Sequence, residues 1–286
     1  MAERFEIEPL AASFGAKLTS LDVRQLSNQA FSEIYDLWLK YGLLIFPGQF
    51  LSNVEQSDFA KRFGPLEFDT APISNVTKEG SVRADDDSDS VIQVLKGNMG
   101  WHCDSTYMSV QAKGAVFSAH VVPSEGGETG WADLRAGYEA LDQVRKEQIA
   151  ALSAYHSLYY SQAKSGYREQ EHGSYVGYGF FGQEPPLRPL VKSHPETSRK
   201  SLLIGRHAYG IPGFSSEESE NLLDELLNLT CQPPRLYQHC WSVGDVVVWD
   251  NRCLLHRACP WDMSEPRIMY HTRIAGDPVT EFASSR

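Results

Sequence analysis

The sequence predicts a mainly β protein with flanking helices, arranged as a double-stranded β-helix, or jelly roll. Short runs of β-branched and aromatic residues alternate with segments of helical period along the whole chain. One of those runs, residues 43–46, is apolar throughout and stops at Pro47-Gly48, as a buried strand would. No Pro/Gly/Ser-rich linker divides the 286 residues, and the candidate metal ligands come from both halves. Residues 1–286 therefore read as a single domain.

Each element has its own signal. Residues 5–23 alternate loosely and read as two short strands or a hairpin. Residues 28–41 read as a helix, with Phe31, Ile34, Leu37 and Leu39 near a 3.6-residue period. Residues 43–46 are a buried strand stopped by Pro47 and Gly48. Ser52 and Glu55 supply a cap and an acidic first turn to a helix over 53–63. Residues 68–93 are polar, carry Asp85, Asp86, Asp87 and Asp89, and read as a mobile loop near the site mouth. A strand follows over 113–122, ended by Pro123. One helix is expected over 133–152, on Leu134, Tyr138, Leu141, Val144, Ile149 and Leu152. The stretch 159–189, rich in Gly, Tyr and Gln, gives no assignment. Residues 201–207, 243–249 and 267–274 read as strands, and 215–229 as a helix opening Ser-Ser-Glu-Glu.

Composition excludes several classes. The chain is 42% hydrophobic and 22% charged, ordinary for a globular protein with a sizeable core. A net charge of −11 without basic runs argues against nucleic acid or an anionic membrane as partner. No apolar stretch is long enough to span a bilayer, and the first residues lack the pattern of a signal peptide. Five cysteines without CxxC spacing suit a reduced, cytoplasmic protein. A homo-oligomer stays open.

The chemistry concentrates on His102-Cys103-Asp104 and on His256, 152 residues after Asp104. On a strand, residues at i and i+2 share a face, so His102 and Asp104 would point together and Cys103 into the core. Two imidazoles and a carboxylate form a three-point face for a divalent metal. They leave three octahedral positions open, as Fe(II) oxygenases need. Arg267 follows His256 by eleven residues, and Thr129 follows His102 by 27.

This order, His102-x-Asp104, then Gly126-Gly127-Glu128-Thr129-Gly130, then His256 and Arg267, resembles the taurine dioxygenase and 2,4-D dioxygenase family of Fe(II)/2-oxoglutarate enzymes. The flanking Trp131-Ala132-Asp133 and the run Gly244-Asp245-Val246-Val247-Val248-Trp249-Asp250-Asn251-Arg252 match as well. The resemblance runs from about Phe5 to Gly276. It is nearest to the aryloxyalkanoate branch, which cleaves phenoxypropionate and phenoxyacetate herbicides. It implies Fe(II), 2-oxoglutarate as cosubstrate, and O2. Hydroxylation of a carbon bearing an aryloxy group would give a hemiketal or hemiacetal. That product collapses to a phenol and a keto or aldehyde acid, with succinate and CO2 released. Arg267 offers a planar fork to the far carboxylate of 2-oxoglutarate, and Thr129 a hydroxyl donor.

The partner implied is a small-molecule carboxylate. Arg267, Met269, His271 and Arg273 alternate along one strand and share a face if no bulge intervenes. A taurine-type enzyme carries an Arg four residues past the cosubstrate Arg; this chain has His271 there. Arg273 is then the cation expected to read a substrate carboxylate, with Arg206, His207, Lys96 and Asn98 as further polar contacts. Trp101, Tyr107, Phe117 and Trp261 could supply an aromatic wall. His120, His156, His172, His194 and His239 lack metal spacing. Other readings stay open: a hydroxylase of a natural-product or amino-acid carboxylate, a halogenase (opposed by Asp104), a non-catalytic jelly-roll binding protein, and a zinc hydrolase, which leaves Thr129 and Arg267 unexplained.

Overall fold

The structure, a computed structural model, describes residues 5–164, 166 and 184–283. The chain opens with an antiparallel hairpin of β1 (Glu6–Pro9) and β2 (Ala16–Thr19). Helix α1 (Asn28–Tyr41) starts where the Ser27 side chain accepts from Ala30 N, and ends at Gly42, whose φ of 76° few other residues tolerate. Strand β3 (Leu43–Phe46) follows, then α2 (Asn53–Lys61), opened by a reciprocal capping box of Ser52 and Glu55. Next come β4 (Ala71–Ser74), α3 (Ser90–Gly97), β5 (Gly114–Val121) and β6 (Thr129–Asp133). The middle holds α4 (Leu134–Glu139), α5 (Gln143–Ile149), β7 (Ser153–His156), α6 (Leu158–Lys164), β8 (Leu187–Pro189), β9 (Val191–Ser193), β10 (Lys200–Leu202) and β11 (Ala208–Tyr209). Last are α7 (Ser216–Thr230), β12 (Leu236–His239), β13 (Val246–Asp250), β14 (Leu254–Ala258) and β15 (Ile268–Ile274).

Seven strands form the main sheet in the order β1-β2-β3-β13-β5-β15-β4, and three form a smaller one in the order β12-β6-β14. Period-two alternation assigns the faces of the main sheet. Leu44, Phe46, Val116, Val246, Val248 and Ile274 pack outward onto Ile34 and Trp38 of α1 and Phe59 of α2. The other parity (Leu43, Ile45, Ala115, Phe117, Val247, Trp249, Met269) packs inward against Trp131 of β6 and Leu254 of β14. The pocket opens on this inner side. The register of β15 against β5 shifts between Ile268 and Met269. His271↔Phe117 and Arg273↔Ala115 pair regularly beyond the shift, so both side chains stay on the inner face. Among the described residues, no helix is long and apolar enough to cross a membrane.

Several expectations need correction. The stretch 68–93 is not all loop: β4 pairs with β15, and Asp89 caps α3 by accepting from Val91 N and Ile92 N. The helix expected over 133–152 is two. The first ends at Glu139 with Ala140 as its C-cap, and Asp142 accepts from Arg145 N to start α5. The strand expected over 201–207 ends at Leu202. The chain then passes close under Trp101, where Arg206 N donates to Trp101 O at 2.8 Å and a Cβ on Gly205 would lie 2.9 Å from that oxygen. In the unassigned middle, α6 and β8 form. His172 lies outside the described residues.

Candidate metal centre and the pocket above it

The two halves of the metal motif meet through the backbone. His102 N donates to His256 O at 3.0 Å and His256 N to His102 O at 2.8 Å, a single antiparallel bridge beside β14. Contrary to the strand expected there, His102 and Asp104 are not on a regular strand, yet they reach the same place. Asn251 fixes the segment: Asp104 N donates to Asn251 Oδ1 at 2.7 Å, and Asn251 Nδ2 returns to Asp104 O at 2.9 Å. Cys103 turns away, its Sγ 3.3 Å from Leu254 O in the core.

The outcome is a buried His102–Asp104–His256 cluster with one ligand atom from each residue, all within 4.8 Å of one another. His102 Nδ1 lies 2.8 Å from Gly100 O, so that nitrogen carries the proton and Nε2 keeps its lone pair. Burial holds the His102 imidazole well below its ordinary range and lowers His256 to about 4, so both are neutral at pH 7 and able to bind a metal. Burial alone would raise the Asp104 carboxyl. The charge of Arg273, together with the His256 and His271 imidazoles, outweighs it and holds the carboxyl well below its ordinary range. Asp104 Oδ2 is buried without a hydrogen-bond partner, 3.8 Å from His256 Nε2. His271 Nε2 is 3.4 Å away but lacks hydrogen-bond geometry. An anionic oxygen left bare at the centre of two neutral imidazoles fits a divalent cation.

Above the cluster lies a cavity of about 830 Å³. Thr129 and Arg267 border one end. Arg267 is 2% exposed, and burial lowers its guanidinium to about 10, still cationic at pH 7. Asn75 Oδ1 accepts from Arg267 N at 2.8 Å, Gly127 O accepts from its Nε at 3.1 Å, and Trp261 lies under it at 5.1 Å. Gly127, at φ +68°, leaves the space this needs, since a Cβ there would lie 3.2 Å from Nε. Arg267 Nη2 remains buried with no hydrogen-bond partner. Thr129 Oγ1 accepts from Trp241 Nε1 at 3.0 Å, which leaves its own hydrogen to donate. A planar cation and a hydroxyl with unused donors can hold a carboxylate.

The remaining wall is mostly apolar and aromatic, with Phe68, Ile73, Val94, Leu95, Tyr107 and Phe117 among its residues. His271 also lines it, its ring stacked 5.7 Å from Trp249 at 7°. Tyr107 and Phe117 were expected there. Trp101 and Trp261 instead lie behind, under Arg257 and Arg267. Asn98 and His207 border the cavity, with His207 Nδ1 2.7 Å from Ser161 Oγ. Arg206 sits beside Gly97 and Gly100, close enough to depress His102 and His207.

Two cations depart from the sequence reading. Lys96 is no substrate contact: it bridges Asp85 at 2.6 Å and Asp87 at 2.7 Å at the surface, because the acidic run folds back on α3. Arg273 does line the cavity, but Nη2 donates to Asp104 Oδ1 at 3.0 Å and Nη1 to Ser105 Oγ at 3.0 Å. Its charge serves the ligand carboxylate and turns Oδ2 toward the imidazoles. Arg273→Ala should weaken Co(II) binding roughly 10- to 100-fold by titration, as loss of an outer-shell partner does. Unchanged metal affinity would contradict this role. Asn75, Trp241 and Gln162 were not legible as site residues, since none has a spacing or motif that marks it.

A mainly β scaffold that buries two imidazoles, a carboxylate and a carboxylate-ready cation around one cavity defines a 2-oxoglutarate-dependent metal oxygenase. Residues 6–273 match the family model described as "Taurine catabolism dioxygenase TauD, TfdA family", and the chain belongs to that family. It is 57% identical to an (S)-phenoxypropionate/alpha-ketoglutarate-dioxygenase of Sphingobium herbicidovorans, over 99% of both chains. It is 35% identical to an alpha-ketoglutarate-dependent 2,4-dichlorophenoxyacetate dioxygenase of Cupriavidus pinatubonensis, over 95% of this chain and 98% of that one. The crystal structure of AAD-2 in complex with Mn(II) and N-oxalylglycine superposes with a TM-score of 0.90 at 35% identity, covering 99% of this chain and 100% of that one. The protein is an alpha-ketoglutarate-dependent dioxygenase that uses Fe(II), 2-oxoglutarate and O2.

Proposed function

We propose that this enzyme cleaves the ether of aryloxyalkanoic acids of the phenoxypropionate and phenoxyacetate type, giving a phenol and a keto or aldehyde acid. The observation that carries the reading is the cavity itself: an apolar, aromatic wall over the His102–Asp104–His256 cluster, with polar groups at its corners. The 57% identity to a phenoxypropionate enzyme supports the same choice. His102, Asp104 and His256 hold Fe(II), and Thr129 and Arg267 hold the far carboxylate of 2-oxoglutarate. Iron with 2-oxoglutarate and O2 supplies the oxidation of a C–H bond; the chain supplies position and dryness. Tyr107 and Phe117 pack the aryl ring. Asn98, His207 and the charge of Arg206 face the substrate carboxylate. Arg273 orients Asp104, and His271 stands where a sulfonate-reading cation would be needed.

We read residues 1–286 as one domain, with the seven-stranded and the β12-β6-β14 sheets as the two layers of a double-stranded β-helix. A cytoplasmic location fits the cysteine usage. A panel of aryloxypropionates, aryloxyacetates and taurine, with Fe(II) and 2-oxoglutarate, tests the reading. Aryloxy acids should give phenol and succinate in equal amounts, and taurine should give no sulfite. Efficient taurine turnover, or a carboxylate without an aryloxy group as the best substrate, would overturn it.

A further inference from the structure

Helix α6 places Leu158 and Gln162 one turn apart on the face that borders the cavity. Gln162 is 1% exposed, and among the described residues neither its Nε2 nor its Oε1 has a hydrogen-bond partner. A buried primary amide with all its hydrogen bonds unmade is costly, and the structure holds it in place nonetheless. Gly97 at the end of α3 makes the room. A Cβ there would lie 2.4 Å from Gln162 Oε1 and 3.0 Å from Arg206 Nη1, so amide and guanidinium converge on one slot. The preceding residue, Ser161, holds the His207 ring, which stands 5.7 Å from the His102 ring. The amide therefore borders the cavity beside the Arg206 guanidinium, on the His207 side, where Tyr107 packs 4.9 Å from the His207 ring.

We propose that Gln162 is a specificity-determining residue whose amide nitrogen donates to the substrate's carboxylate beside Arg206. The inference rests on the aryloxy-acid reading and adds to it the group that tells an acid from a neutral ether. A ligand carboxylate would give the amide the partner that no described residue supplies.

Three variants test this in the protein loaded with Mn(II) and 2-oxoglutarate without O2, using calorimetric binding of phenoxypropionate and of its carboxamide. Gln162→Leu should weaken the acid about 10- to 100-fold, as loss of a hydrogen bond to a charged group does. The same change should leave 2-oxoglutarate affinity unchanged. It should also keep or raise the melting temperature of the ligand-free protein, because it removes an unsatisfied buried amide; a purely structural Gln would lose stability instead. Gln162→Glu should weaken the acid further but penalise the carboxamide less, since only the acid is repelled. Gln162→Asn, with its shorter reach, should fall between wild type and Leu. Acid binding by Gln162→Leu equal to wild type, or equal losses for acid and carboxamide in Gln162→Glu, would overturn the proposal while leaving the aryloxy-acid reading intact. Failure of the wild type to bind any aryloxy acid would instead overturn that reading, and this proposal with it.

Discussion

Replacing His102, Asp104 or His256 by Ala is expected to abolish turnover while leaving the chain folded. Each supplies one of the three ligand atoms that lie within 4.8 Å, and among the described residues no other His, Cys, Asp or Glu joins that group. Loss of one ligand lowers divalent-metal affinity and changes the open positions that cosubstrate and O2 require. The three differ in what surrounds them. His102→Ala and His256→Ala remove neutral, buried rings. Asp104→Ala also takes from buried Arg273 the carboxylate 3.0 Å away, leaving it Ser105 and the more distant Glu67, so it should lower the melting temperature as well. Succinate formation together with Co(II) titration checks all three. Near-wild-type activity in any of them would remove that residue from the metal site.

The second large effect belongs to Arg267. Arg267→Ala is expected to raise the KM for 2-oxoglutarate by about 30-fold to several thousand-fold, the range for removing one partner of a buried charge pair. The KM for the aryloxy acid should move far less, because the proposed partners of its acid group are Gln162 and Arg206. Arg267→Lys should recover only part of the loss: a point charge replaces a planar fork, and the contact to Gly127 O is broken. An unchanged cosubstrate KM in Arg267→Ala would move the anchor elsewhere in the cavity.

The parts legible in the sequence were those with a local cause. Helix α1 and strand β3 carry their own periodicity and their own stop, and their bounds match the expectation. The metal cluster was legible because its chemistry needs particular residue types in a particular order. The alternation of His271 and Arg273 also survived, since the register shift falls before them. What was not legible depends on tertiary pairing. The polar stretch after Phe68 contains β4 because β15 offers it an edge, and no alternation in 71–74 announces that. The split between α4 and α5 turns on the cap at Asp142 within a run of good helical period. Arg273 was read as a substrate cation from its face alone. Face does not reveal that Asp104 Oδ1 waits 3.0 Å away. Lys96 was likewise taken inward, although the acidic run beside it in sequence supplied its partners. Gln162 lay in a stretch whose composition marks no element, and its meaning appears only when the amide is seen buried and unpaired.

A crystal structure of the protein with Mn(II), N-oxalylglycine and phenoxypropionate tests the central claim most directly. The account predicts an anomalous peak at His102, Asp104 and His256, with the far carboxylate of N-oxalylglycine on Arg267 and Thr129. It predicts the aryl ring against Tyr107 and Phe117, and the acid group at Gln162 and Arg206. Metal bound away from that cluster, or the acid group displacing Asp104 from Arg273, would contradict it.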